Sequence, residues 1–363
     1  MDLKRIIVSV TNDLTTDQRV EKVCNTLHKN GFEILLIGRK LKTSLPIERN
    51  YKTKRFSLFF NTGFLFYAEY TFRLFFYLFF LKKDLLLAND LDTLLANYLI
   101  SKLQRKKIIL DCHELFPEIP ELVHRKNVKN VWLFLEKKLV PKVEKKYTVC
   151  DSIANYYQEK YQTHFEVFKN LPRKKEIEKG VFPFDTKSKK IILYQGAINV
   201  GRGLELMIDT MKHIDNHLFI IVGNGDIFQQ LHKKVRLEKL EEKVHFLGKM
   251  SPESLHKMTP LADLGISLEE DLGLNYRFAL PNKIFDYIQA EIPILVSDLP
   301  EMKQVVLDYK VGEIATNRNT KELAIQIQTI LEKDFSNQLI KAKKILVWEN
   351  QEEKILQFFK ELI

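Results

Sequence analysis

Short apolar runs alternate with amphipathic stretches along most of the chain, and this alternation predicts a fold class. Residues 5–10, RIIVSV, read as a buried strand. Residues 17–29 follow with helical spacing at Val20, Val23, Cys24 and Leu27, and Asn30-Gly31 is a helix stop. Further strands are predicted at 33–38, 84–88, 107–112 and 146–150, with helical stretches at 92–103 and 131–145 among them. Residues 173–190 are polar and charged, contain Gly180, Pro183 and Ser188, and read as a linker. Beyond them the pattern restarts, with strands predicted at 191–195, 218–222, 243–247, 264–268 and 294–297. Strands that alternate with helices imply parallel sheets covered on both faces. The predicted class is therefore α/β, with two Rossmann-like domains at 1–172 and 191–344. A C-terminal helix is predicted at 345–363 and assigned with the first domain, amphipathic with Ile355, Leu356, Phe359 and Leu362 on one face. In open sheets of this kind, ligands bind beyond the carboxyl ends of the strands. A cleft between two such domains is a favoured site.

Length fits this division: 363 residues make about two domains at roughly 150 residues each. Hydrophobic residues are 45% and charged residues 29%, which excludes wholesale disorder. The net charge of +10 calls for an anionic partner: nucleic acid, phosphate groups or an acidic membrane. The basic clusters carry no helix-turn-helix, zinc or aromatic RNA-binding signature, so nucleic acid is not the expected partner. Cys24, Cys112 and Cys150 are odd in number and far apart, which argues against a disulfide framework and a cysteine zinc site. The first apolar stretch is too short for a signal peptide, so the expected compartment is the cytoplasm.

One segment departs from the pattern. Ten of the 25 phenylalanines lie within 56–81. Its length alone allows a membrane span. Glu69 and Arg73 near its middle oppose that, spaced as a helical ion pair. So does the strand predicted at once afterwards, which must join the sheet of residues 5–10. Core packing and contact with a membrane surface remain open. For the second, basic residues at Lys102, Arg105, Lys106, Lys107, Arg125, Lys126 and Lys129 would meet anionic headgroups.

Five loops carry candidate chemistry. The stretch LYQGAINVGRGLE leaves a strand and enters a helix. Gly196, Gly201 and Gly203 let backbone approach a ligand, and Arg202 offers a fork of donors to a diphosphate. A glycine-rich turn with a solvated arginine gives the same pattern. The stretch is neither a GxGxxG fingerprint nor a GKS/GKT P-loop, so a kinase or ATPase loses support. IIVGNGD places Gly223 after the next strand, where a tight turn is the plainer reading. VHFLG runs a strand into Gly248, and its lone His245 reads as structural. In LPNKIFDY, Lys283 and Asp286 share a helix face, suiting either a phosphate-and-ribose clamp or a surface ion pair. DCHELFPE sets His113 and Glu114 at a strand end, where His113 suits a sugar hydroxyl or a developing charge, or a capped loop.

Taken in order, these pieces resemble the retaining glycosyltransferases of family 4, which have the GT-B fold. VTNDLTTDQRVEKVCNTLHKNGFEILLIGRK resembles the start of their acceptor domain, and ANDLDTLLANYLISKLQRKKIILDCHELFPEIPEL its middle section. LYQGAINVGRGLE, IIVGNGD, VHFLG, ADLGISL and LPNKIFDYIQAEIPILVSDLPEM resemble the donor domain in order. VWENQEEKILQFFKEL resembles the helix that crosses back to the first domain. The resemblance implies a nucleotide-diphosphate sugar donor, no other cofactor and no metal. It also implies a glycan or lipid-linked acceptor in surface polysaccharide biosynthesis. Arg202 would bind phosphate with help from Lys283, and Asp286 would hold the ribose. The backbone at Phe246 and Leu247 would meet the base. His113 would lie near the transferred sugar.

Three positions depart from the family. The first Glu of its E-x7-E is Phe278 here, so the sugar falls to Gly273, Leu274 and Asn275 or to Glu270. The usual first-loop Arg is Ala197. The usual Gly before x-P-V is Glu291. A non-catalytic nucleotide-sugar-binding protein and a nucleotide-sugar 2-epimerase are the alternatives. Such an enzyme is expected in the cytoplasm, with contact at the inner membrane face left open.

Overall fold

A computed structural model describes residues 4–15, 17–119, 122, 125–186 and 188–362. The chain divides into two compact units, Met1–Asn170 with Gln351–Ile363, and Leu171–Asn350.

In the first unit the elements run β1 (Arg5–Asp13), α1 (Gln18–Lys29), β2 (Glu33–Lys40), β3 (Lys52–Ser57), α2 (Gly63–Phe80), β4 (Leu85–Asn89), α3 (Asp90–Gln104), β5 (Lys107–Cys112), α4 (Lys126–Leu139), β6 (Lys145–Thr148), α5 (Asp151–Tyr161) and β7 (Glu166–Val167). The strands form one parallel sheet, ordered β3-β2-β1-β4-β5-β6-β7. Ile6, Ile7 and Val8 of β1 and Leu85, Leu86 and Leu87 of β4 are fully buried, as a sheet covered on both faces requires. Asp17 caps α1, its carboxylate accepting from the Val20 amide at 3.1 Å. The last helix spans Glu349–Lys360, shorter than the C-terminal segment read from sequence, and a separate helix ends at Ile345 before it. From Gln351 onward the chain belongs to the first unit, where Phe358 and Phe359 pack on Tyr147. Cys24, Cys112 and Cys150 are all buried as free thiols.

The phenylalanine-rich segment divides in two. Phe56 lies in β3, an edge strand that the sequence pattern missed, and α2 begins at Gly63. Phe66, Tyr70, Leu74 and Leu78 form the buried stripe of α2 at i, i+4 spacing. Tyr70 donates its hydroxyl to the Val10 carbonyl. Among the described residues, no helix is long and apolar enough to cross a membrane.

The second unit continues with β8 (Lys190–Gln195), α6 (Leu204–Thr210), β9 (His217–Val222), α7 (Phe228–Leu237), β10 (Val244–Gly248), α8 (Pro252–Met258), β11 (Leu264–Ser267), α9 (Leu274–Arg277), α10 (Asn282–Gln289), β12 (Ile294–Val296), α11 (Pro300–Tyr309), β13 (Gly312–Ile314), α12 (Thr320–Leu331) and α13 (Ser336–Ile345). Its parallel sheet is ordered β10-β9-β8-β11-β12-β13. One core lies on each face, one centred on Met207, Ile208 and Phe219, the other on Ile220, Tyr287 and Ile294. Residues of the stretch read as a linker lie against this unit. Gly180 donates its amide to Lys257 at 2.9 Å, and Phe184 packs 4.6 Å from His245.

Candidate functional site

In the second unit the sheet grows one way through β9 and β10 and the other way through β12 and β13. β8 and β11 therefore lie side by side where the direction reverses, and the loops leaving them meet at their carboxyl ends. The Glu270 amide donates to the Gly201 carbonyl at 2.8 Å, and the Tyr276 hydroxyl donates to Val200 at 3.1 Å. Gly203 closes the first loop at φ 74°. A Cβ there would stand 2.1 Å from the Leu268 carbonyl oxygen, so this approach admits only glycine.

Arg202 and Lys283 converge on Glu269, which the sequence reading did not single out. Lys283 Nζ lies 2.7 Å from Glu269 Oε1, and Arg202 Nη1 lies 3.7 Å from the same oxygen. Glu269 is wholly buried, and its Oε2 accepts from Ser267 Oγ at 2.7 Å. Burial alone would raise its pKa, but Lys283 and Ser267, with Arg202 behind them, hold it below the usual range. Burial pushes the Lys283 ammonium down, against the pull of Glu269. The Lys283 nitrogen also lies 4.0 Å from the Tyr194 ring centroid. Arg202 is the outer cation, over the Tyr276 ring, and its Nε lacks a hydrogen-bond partner among the described residues. Two cations on one carboxylate leave this point of the sheet with an excess of one positive charge.

The remaining predicted residues of this unit line the same end of the sheet. Asp286 accepts from Gln195 Nε2 at 3.1 Å, and the Gln195 side-chain carbonyl accepts from Thr259 at 2.8 Å. Lys283 and Asp286 thus have different partners. A Cβ on Gly223 would stand 1.8 Å from the Gly196 carbonyl oxygen, so these two loops touch through bare backbone. The pairing of β10 with β9 shifts register between Phe246 and Gly248, leaving Leu247 without a partner residue in that ladder. The Phe246 ring stacks on His232, with centroids 4.2 Å apart. Gly273, at φ 130°, starts α9, which carries Leu274 and Asn275. Glu270 pairs with Arg318 at 3.2 Å.

His113 belongs to the first unit, in the loop after β5. Its Nε2 lies 3.0 Å from Asp111 Oδ2, and its Nδ1 lies 3.4 Å from Asp90 Oδ2. Its amide donates to Asp90 Oδ1 at 2.7 Å. Burial would lower the imidazole pKa, but the Asp111 and Asp90 charges outweigh it and raise it to about 10. Asp111 is also gripped by Arg19, whose Nε and Nη2 each donate at 3.0 Å. Burial raises Asp90 to about 7, with the His113 charge opposing, and Asp92 likewise to about 7. Asp90, the first residue of α3 and directly after β4, sits at φ 58°, an uncommon left-handed position. Neither Arg19 nor Asp90 was singled out from sequence. Arg19 lies 92 positions from Asp111, and no local spacing reveals that pair.

Two family models match the chain. Glycosyltransferase Family 4 matches residues 17–170, and Glycosyl transferases group 1 matches residues 174–345. The chain belongs to the family 4, group 1 glycosyltransferases. Its two parallel Rossmann-like sheets are those of the GT-B fold. The chain is similar to sucrose-phosphate synthase from Thermosynechococcus elongatus, at 14% identity over 99% of each chain with a TM-score of 0.79. It is also similar to Anabaena HepE solved with UDP-glucose, at 14% identity over 98% of this chain and 99% of that one, with a TM-score of 0.73. Chitobiosyldiphosphodolichol beta-mannosyltransferase of Candida albicans is 26% identical over 187 residues. That match covers 46% of this chain and spans only 39% of the mannosyltransferase's length.

Within this glycosyltransferase, the unusual Glu291 has a structural reading. It adopts φ 58°, a conformation that suits the family's glycine and strains a residue with a Cβ. Its carboxylate pairs with Lys343 at 2.8 Å. Phe278 is the C-cap of α9, and Ala197 accepts the Tyr194 hydroxyl at its carbonyl.

Proposed function

We propose that this glycosyltransferase moves a hexosyl group from a nucleoside-diphosphate sugar to a glycan or lipid-linked acceptor, with retention of anomeric configuration, in surface polysaccharide assembly. The convergence of Arg202 and Lys283 on Glu269, at the reversal point of the second sheet, carries this reading. Lys283 is an inner cation fixed by Glu269 and Tyr194, and Arg202 is an outer cation with donor capacity to spare. Preorganised cations act where negative charge grows on the leaving diphosphate. The UDP-glucose complex of Anabaena HepE and the mannosyl transfer named for the Candida relative support a hexose on a nucleoside diphosphate. Asp286 holds the ribose, the backbone at Phe246 and Leu247 meets the base, and Gly273, Leu274 and Asn275 take the sugar in place of the missing glutamate.

His113 serves as a fixed positive charge in this mechanism. An imidazole with a pKa of about 10 and a carboxylate beside each nitrogen is a poor proton acceptor near neutrality. That suits a front-face transfer in which the departing phosphate takes the acceptor's proton. We place the enzyme in the cytoplasm at the inner face of the membrane, within reach of lipid-linked acceptors.

The test is a panel of UDP- and GDP-sugars screened by thermal shift, followed by donor hydrolysis with the best one. Stabilisation with slow hydrolysis is expected, and Arg202→Ala should abolish both. Stabilisation without turnover under any acceptor would favour a binding protein. Release of an epimerised sugar would favour a 2-epimerase.

A further inference from the structure

The residues between 59 and 80 expose eight large apolar side chains. Phe80 is 80% exposed, Phe64 70% and Phe72 65%. Together these side chains present roughly 900 Å², taking about 200 Å² for each fully exposed ring. Monomers ordinarily leave contiguous apolar patches of only a few hundred Å². The buried stripe of α2 already satisfies the sheet, so this second stripe has no role in the unit's own core.

The charges on α2 do not interrupt the patch. Glu69 accepts the amides of Phe59 and Phe60 at 3.0 and 2.9 Å and pairs with Arg73 at 2.7 Å. Arg73 in turn donates to the Ser57 carbonyl at 3.1 Å and lies 5.2 Å from the Phe59 ring. The pair is thus spent on pinning the loop that presents Phe59 and Phe60. The helix has no other charged residue.

Cations border the patch. Gln104 Nε2 donates to the Phe79 carbonyl at 2.8 Å, tying the end of α3 to the end of α2. That junction joins the end of α2 to the last turn and C-cap of α3, which carry exposed Lys102, Leu103 and Arg105. No carboxylate follows Asp92 in α3. An apolar face with exposed cations at one end and no free carboxylate on its helix complements an anionic lipid surface.

We propose that α2, the loop before it and the end of α3 form a monotopic docking surface for an anionic bilayer. The aromatic stripe enters the headgroup–acyl boundary, and Lys102 and Arg105 meet the lipid phosphates. The proposal deepens the peripheral placement given above and rests on it, while remaining independent of the transfer chemistry.

The full chain is to be sedimented with vesicles of phosphatidylglycerol and phosphatidylcholine, and with phosphatidylcholine alone. Wild type should bind the anionic vesicles at low salt and lose at least tenfold in affinity at high salt. A Phe72→Ser, Phe76→Ser, Phe80→Ser triple variant should lose at least tenfold. All three side chains are exposed, so the fold should survive, which circular dichroism checks. Lys102→Glu with Arg105→Glu should weaken anionic binding without altering the apolar face. No binding at low salt, or unchanged binding in the triple variant, overturns the proposal. A soluble dimer that the triple variant dissociates, without vesicle binding by wild type, also overturns it in favour of a second copy. Donor-induced thermal shift, read on the same samples, separates this outcome from failure of the transferase reading.

Discussion

Lys283 Nζ sits 2.7 Å from Glu269 Oε1, and both side chains are almost fully buried. Removing one partner of such a pair leaves the other's charge unsatisfied in a low-dielectric site, which typically costs about 3–5 kcal/mol. Glu269→Gln should therefore destabilise the second unit by that order in urea unfolding. Adding Lys283→Met should recover much of the loss. A double variant destabilised by the sum of the Glu269→Gln and Lys283→Met losses would show that the pair is not coupled.

Stability should fall as pH rises from neutral. His113 is raised from about 6.5 unfolded to about 10 folded. Its contribution is thus fully present below about pH 6.5 and is lost as pH climbs through 10. Asp90 and Asp92, both raised to about 7, act in the same direction between about pH 4 and 7. Asp111 is depressed despite its burial, through Arg19 and His113, and acts oppositely at the acid end. Thermal midpoints measured between pH 7 and 10 should decline in wild type. The decline should flatten in His113→Asn.

Glu291→Gly should stabilise the second unit. Relief of a left-handed backbone is worth about 1–2 kcal/mol, offset by about 0–1 kcal/mol for the Lys343 pair. Glu291→Ala loses the pair but keeps the strain, so it should be neutral or slightly destabilising. Thermal unfolding of the three proteins checks the order Gly, Glu, Ala.

Gly223→Ala should uncouple the loops after β8 and β9. The new methyl meets the Gly196 carbonyl oxygen at 1.8 Å, so the backbone has to move. Donor-induced thermal stabilisation should drop by at least tenfold in apparent affinity while the far-ultraviolet circular dichroism is kept. Undiminished donor binding would remove these loops from the donor site.

Much of the sheet architecture is readable because central parallel strands must be apolar throughout. Lys107–Cys112 shows this through its buried Ile108, Ile109 and Leu110, and its sequence-based bounds match the structure. Lys52–Ser57 escapes the same reasoning. It is an edge strand with only Phe56 buried, so its pattern resembles a charged loop. Gly312–Ile314 and Glu166–Val167 are too short to show a period. At the candidate site, glycines and cations are legible as residue types. The choice between Glu269 and Glu270 is not, because adjacent glutamates look alike until the strand end decides which one points inward. Ser267, two residues before Glu269 at the end of β11, is the local signal that could have favoured it.

The three thiols have a practical consequence. Burial holds Cys24 and Cys112 well above their ordinary pKa, and Cys150 is equally enclosed. Thiolate, not thiol, reacts with maleimides and similar reagents. The native cysteines can therefore stay in place when a single reporter is installed. Phe76→Cys carrying an environment-sensitive fluorophore would give one labelled position on α2, and its emission would report the polarity that this helix meets.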